Sequence, residues 1–129
     1  MSRVFLPLVI GVCQHAPVDP LRLIETAPGD YSLLLDAGTT EVDGVIEGLG
    51  HEPNGYFWEG VAHFLVSTAA PALESRFAYD SEGGMFCAHG TDRQALEDLA
   101  ALMAAVATDP DRMHQLVVAA DANEFEFDD

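Results

Sequence analysis

Asn54-Gly55-Tyr56-Phe57-Trp58-Glu59 is the stretch whose reading decides the fold. It holds the only tryptophan of the chain, two further aromatics and an acid. Pro53 and Asn54 stand just upstream, and an asparagine side chain accepts the amide protons that a first helical turn leaves unpaired. The spacing predicts a helix over residues 55–70, stopped at Pro71, whose ring cannot continue it. Phe57, Val61, Phe64, Leu65 and Thr68 form one side of this helix, widened by Trp58, Ala62 and Ala69. The opposite stripe is Glu59, His63 and Ser67, at i, i+4 and i+8. So broad an apolar arc packs on a sheet, with Phe57 and Trp58 in the core and Tyr56 outside. Glu59 near the helix start is favoured by the macrodipole whether or not it has a further role.

Working outward, residues 21–26 and 31–36 read as two strands joined by Pro28-Gly29-Asp30, a turn in which glycine supplies positive φ. The second strand is nearly all apolar from Leu33 on, which predicts cover on both faces. Thr39 and Thr40 offer an N-cap to a short helix carrying Val42, Val45, Ile46 and Leu49, with Gly50 as its stop. The other side of that helix, Glu41, Asp43 and Glu47, is acidic and predicted to be wet.

Residues 76–80 and 85–89 read as a hairpin around Ser81-Glu82-Gly83-Gly84. Thr91-Asp92-Arg93-Gln94 is a capping box opening a helix with Leu96, Leu99, Leu102, Met103 and Val106 inside. Asp109 caps a last helix with Pro110 in its first position, and Met113, Leu116, Val117 and Ala120 face inward. The end of the chain, 123–129, alternates acid and phenylalanine, as a short edge strand or a frayed tail. At the other end, the apolar run 4–13 reads as a buried strand, since Pro7 and Gly11 break it and it is too short to span a bilayer. Strands grouped as hairpins and then helices predict an α+β fold, with about four helices covering a mostly antiparallel sheet.

The chain has 129 residues, 49% of them hydrophobic, enough for one domain over 1–129 with a sizeable core. Its charge is lopsided: 22 acids face 5 bases, all arginine, for a net charge of -17. That balance repels nucleic acid and attracts basic proteins or cations, although general solubility or salt adaptation would also produce it. Cys13 and Cys87 match no metal spacing and make a poor disulfide framework, so a reduced, cytoplasmic protein with no membrane attachment is expected.

No nucleophile elbow, phosphate-cradling loop or catalytic cysteine motif is present, and Gly83-Gly84 suits a turn better than a phosphate. No catalytic residue and no cofactor is therefore assigned. A hydrolase would need Glu52 and Glu59 to share a pocket. A metal site would need His51, Glu52, Glu59, His63 and His89 to converge, yet no closed ligand spacing appears. An exposed Tyr56 between Glu52 and Glu59 would instead anchor a protein interface.

Two stretches resemble the immunity protein 51 family. Gly55-Tyr56-Phe57-Trp58-Glu59 is similar to its G-Y-x-W-E signature. Asp80-Ser81-Glu82-Gly83-Gly84-Met85-Phe86 is similar to its second segment, an acidic turn leading to Gly-Met-Phe. The likeness spans about residues 20–120. The family commonly has proline after the aspartate, where this chain has Ser81. The resemblance implies a non-enzymatic cytoplasmic protein of polymorphic toxin systems that neutralises a cognate toxin domain. Many such toxins are nucleases with basic active sites. Gly55, Trp58, Asp80, Glu82, Met85 and Phe86 are the motif positions. The expected contact surface is Asp43, Glu47, Glu52, Tyr56, Glu59 and His63. Neither the identity of the toxin nor the oligomeric state follows from the sequence.

Overall fold

The computed structural model describes residues 19–127; the expected strand at 4–13, the start of the loop at 16–20, Cys13 and the two closing aspartates lie outside them. Four strands and four helices follow in the order β1 Arg22–Ala27, β2 Asp30–Asp36, α1 Asp43–Gly48, α2 Gly55–Ala69, β3 Ala78–Tyr79, β4 Met85–Gly90, α3 Arg93–Ala107 and α4 Pro110–Ala122. The strands form one antiparallel sheet in the order β1-β2-β4-β3. Helices α2 and α3 lie on the sheet, and α4 packs against α3 and α1. This is the α+β arrangement anticipated from the sequence.

Alternation along the strands sends Leu33, Leu35, Phe86 and Ala88 to the helix side, where all four are fully buried. Phe57, Trp58 and Val61 of α2 and Leu96, Leu99 and Met103 of α3 meet them there, also without exposure. The indole N–H of Trp58 has no hydrogen-bond partner, so this residue contributes volume and apolar area alone. The expectation that β2 is covered on both faces fails. Its other side, Ser32 and Leu34, is only half-buried, because α2 and α3, the helices that lie on the sheet, cover the face of Leu33 and Leu35.

Helix starts are set by side-chain caps. Asn54 Oδ1 accepts the Phe57 amide at 2.8 Å, and Asp109 Oδ1 accepts those of Asp111 and Arg112 at 3.1 and 3.3 Å. Two expected caps move. Asp92, not Thr91, opens α3, accepting the Ala95 amide at 3.1 Å and pairing with Arg76. That amide above all, together with Arg76, holds the Asp92 carboxyl below the usual carboxylate range. Helix α1 begins after Val42 with no side-chain cap: Thr40 stands two residues too early, its hydroxyl accepting the Val42 amide at 3.3 Å and donating to Asp43 Oδ1 at 2.7 Å. Its stop at Gly50 is as read: with φ at +90°, the Gly50 and His51 amides return to the Glu47 and Ile46 carbonyls, both at 3.1 Å. At the end of α2, Thr68 and Ala69 are exposed instead of inward, and the Thr68 hydroxyl donates to the Phe64 carbonyl at 2.7 Å.

The first expected hairpin strand shrinks to two residues. Ser75 takes φ +67°, and Arg76 and Phe77 precede the pairing instead of joining it. The turn itself is tight, with Glu82 and Met85 exchanging amide–carbonyl bonds of 2.8 and 3.1 Å around Gly83-Gly84. On that turn sits the start of α2. The Gly55 amide donates to the Gly83 carbonyl at 2.9 Å, and the Ala37 amide, just past β2, donates to the Gly84 carbonyl at 3.0 Å. A Cβ on Gly55 would lie 1.9 Å from the Glu82 carbonyl oxygen and 2.5 Å from that of Met85. Only glycine fits.

Residues 123–127 form neither an edge strand nor a frayed tail. After α4, Glu124 adopts φ +59°, and the Phe125 amide bonds the Ala120 carbonyl at 2.9 Å, turning the tail back. Phe127 then stacks on Phe57 with centroids 4.6 Å apart, while Phe125 meets Phe64 edge-on at 5.4 Å. The Phe127 ring fills the space left by Gly60, where a Cβ would come within 2.6 Å of it.

Three substitutions check this packing. Gly55→Ala should cost about 3 kcal/mol in urea unfolding, because the new methyl meets backbone that cannot turn aside. Gly44→Ala on α1, with open space around it, should be neutral or stabilising by up to about 1 kcal/mol. Glu124→Gly should raise stability by roughly 1 kcal/mol by relieving a left-handed residue at the turn; a loss would show that the glutamate side chain holds the tail.

Candidate functional site

The six residues of the expected contact surface fall into two groups. Tyr56, Glu59 and His63 are one stripe of α2, at i, i+3 and i+7. Tyr56 is 43% exposed, while Phe57 and Trp58 beside it are fully buried. Capping by Asn54 and docking of Gly55 fix this rotation of the helix, so the outward position of Tyr56 follows from the start of the helix. Glu59 Oε2 lies 3.9 Å from His63 Nε2, and the His63 ring rests 4.5 Å from that of Tyr79 on β3.

Tyr79 also belongs to this group, although the sequence places it only within the 76–80 arm of the expected hairpin. Burial first, then the negative charges of Glu59 and Glu74, push its hydroxyl far above the ordinary tyrosine range, so it stays a neutral donor. The signal available in the sequence was its place in the alternation Phe77, Ala78, Tyr79, which puts it on the side of the sheet that faces α2.

Asp43 and Glu47 form the second group, one turn apart on α1, with Asp43 half-buried against Thr40 and Glu47 exposed. Helix α1 packs chiefly on α4. Glu52 is exposed in the connection between α1 and α2 and links the two groups along the chain.

Charge is distributed unevenly along the fold. No lysine or arginine lies between Arg22 and Arg76, a span that includes β2, α1 and α2. The arginines among the described residues are each engaged with an acid of the same molecule: Arg22 with Asp36 at 3.2 Å, Arg76 with Asp92, Arg93 with Glu97 at 3.0 Å, and Arg112 with Asp109 at 3.8 Å. The carboxylates of α1 and α2 therefore have no lysine or arginine of α1, α2 or their connection to meet.

Among the described residues, neither the carboxylate pair nor the histidine cluster that the sequence offered is assembled. Glu52 and Glu59 line neither the cleft at Ser32 and His89 nor those at Leu73 and at Phe64. The histidines that a metal site would need are dispersed. His51 lies against Asp121 at 3.4 Å and edge-on to Phe127, His63 is at Tyr79, and His89 is on the opposite face of the sheet. Among the described residues, no group of three or more histidine, cysteine or acidic side chains is arranged to hold a metal ion. Cys87 is a half-buried free thiol.

The motif positions come together at one joint, with Gly55, Trp58 and Phe86 buried and Asp80 and Glu82 left exposed on its rim. Gly55 rests on the turn formed by Glu82 and Met85, and Trp58 and Phe86 are buried in the one core. The Asp80 amide bonds the Cys87 carbonyl at 3.0 Å. The Ser81 hydroxyl accepts the Cys87 amide at 3.1 Å, a bond that proline in its place could not make. The motif thus joins helix to hairpin and leaves only Tyr56 and Glu59 of the first signature outside the core.

Among the described residues, no helix is long and apolar enough to cross a membrane. Comparison with curated proteins and with solved structures gave no match. The family model of immunity protein 51 matches residues 21–122, from the residue before β1 to the last residue of α4. By that match, which takes in both motifs and every described element, the chain belongs to the immunity protein 51 family.

Proposed function

We propose that this immunity protein works in the cytoplasm, binding a cognate bacterial toxin domain through its acidic surface and occluding the toxin's basic active site. The observation that carries the reading is the base-free span from β2 through α2, which sets acids beside an exposed tyrosine. Family membership supplies the general role of an immunity protein. The charge supplies the mechanism: a body at -17 accelerates encounter with a basic partner and opposes its release. Tyr56 has the form of an interface anchor, an amphipathic ring with little entropy to lose on binding, ringed by charge. Asp43, Glu47, Glu52, Glu59 and His63 complete the proposed contact surface. A nuclease is the toxin class this surface suits best, since carboxylates can occupy positions that otherwise receive phosphate.

The test is calorimetric titration with the toxin domain encoded beside this chain. Binding should be one-to-one and weaken steadily as salt rises. Charge reversal at Glu47 and Glu52 should lower affinity roughly a hundredfold, at about 1.5 kcal/mol or more for each lost close charge pair, and Tyr56→Ala by a similar factor. Affinity indifferent both to salt and to those reversals would refute the electrostatic mechanism.

A further inference from the structure

All four helices lie on one side of the sheet or against one another, and the strand register defines what the other side presents. Ile24 pairs with Ser32, Ser32 with His89 and His89 with Ala78, making one row across the sheet. Arg22, Leu34 and Cys87 make the next, and Asp36 pairs with Met85 beyond it. A solvated antiparallel sheet ordinarily carries charged and long polar side chains at such outward positions. Here the middle of the face is Ser32, Leu34, Cys87 and Met85, all half-buried, beside an exposed His89, and Ile24 is one of three large hydrophobic side chains left exposed among the described residues, at 41%.

The charges are at the margin. Asp30 and Asp80 border a cleft of about 440 Å³ floored by Ser32, Cys87 and His89. Neither carboxylate is paired with a base among the described residues, and Arg22, the one arginine of these rows, is taken by Asp36. A weakly polar centre inside a charged rim is the anatomy of a protein interface rather than of a wet sheet face. Its sign selects a basic occupant.

We propose that the uncovered face of the sheet is a second docking surface, on which a basic segment of the toxin lies across Ser32, Cys87 and His89 with its cations against Asp30 and Asp80. The inference rests on the toxin-binding reading above and adds to it: the partner grips the domain on the sheet as well as at α1 and α2. A small apolar centre with acids at its edges takes an extended strand or hairpin carrying arginine or lysine at its ends, with short side chains between.

Cys87 serves as the reporter. In the 129-residue chain carrying Cys13→Ser it is the only thiol, and its rate of reaction with a maleimide is measured with and without the neighbouring toxin domain. Binding itself is followed separately by calorimetry. The proposal predicts that Cys87 reacts in the free protein and that saturating toxin slows it by about tenfold or more, as burial in an interface requires. It also predicts that Asp30→Arg with Asp80→Arg weakens binding roughly tenfold or more while the variant unfolds at the wild-type temperature. Tight binding with unchanged Cys87 reactivity, and with Asp30→Arg and Asp80→Arg neutral, overturns the second surface and leaves the first intact. Cys87 that is inert in the free protein and exposed by deleting residues 1–18 also overturns it, because the chain's own N-terminal segment is then the occupant. No binding by any measure overturns the toxin-binding reading, and this inference with it.

Discussion

The fold depends on one backbone-to-backbone contact. Gly55 opens the central helix against the turn at Glu82–Met85, so closely that a Cβ at this position would stand 1.9 Å from the Glu82 oxygen, which leaves no room for any side chain. The carbonyls of Gly83 and Gly84 accept amides from two other parts of the chain, the start of α2 and the end of β2. Three segments distant in sequence are thereby tied at one point. Everything that follows Gly55 inherits its orientation: Phe57 and Trp58 turn into the core, while Tyr56 turns out. The tail completes the arrangement from the other side, with Phe127 laid on Phe57 in the gap left by Gly60.

This contact explains why the two sequence motifs are a pair. Each has little meaning alone, one being a helix start and the other a turn. Together they are the two halves of a joint. A signature of this kind identifies a fold more surely than a binding surface, because what it fixes is internal. The contact surface proposed above therefore rests mainly on residues outside the joint. The self-repulsion of 22 acids is offset locally, by caps at Asp92 and Asp109 and by the ion pairs of the described arginines, such as Arg76 with Asp92 and Arg112 with Asp109.

Much of the fold was legible in the sequence because its signals are local. Asn54 at the cap, Pro110 in the first turn and Gly50 past the end of α1 each act within a few residues, and the 3.6-residue spacing of Leu96, Leu99 and Met103 needs nothing else. What could not be read was decided at a distance. Thr91 and Asp92 are both good caps, and Arg76 on the far side of the hairpin favours the aspartate. The apolar character of Leu33, Leu34 and Leu35 predicts burial but not on how many sides, which depends on where the helices pack. The Phe-x-Phe tail resembled a strand because alternation is the signature of one; the missing clue was Gly60, a gap in the helix of the right size for a ring. Of the candidate site, the outward set of Tyr56, Glu59 and His63 was visible from helical periodicity, but the neighbouring Tyr79 came from another element and was not.

The joint is tested most directly by hydrogen exchange on the native protein, following the amides of Ala37 and Gly55. If the contact is what the fold depends on, both exchange only through global unfolding, with the same protection as the Leu33 and Leu35 amides in the centre of the sheet. If instead Ala37 and Gly55 exchange through a local opening while Leu33 and Leu35 remain protected, the helix start can leave the turn without unfolding the domain, and the contact is not what holds it together.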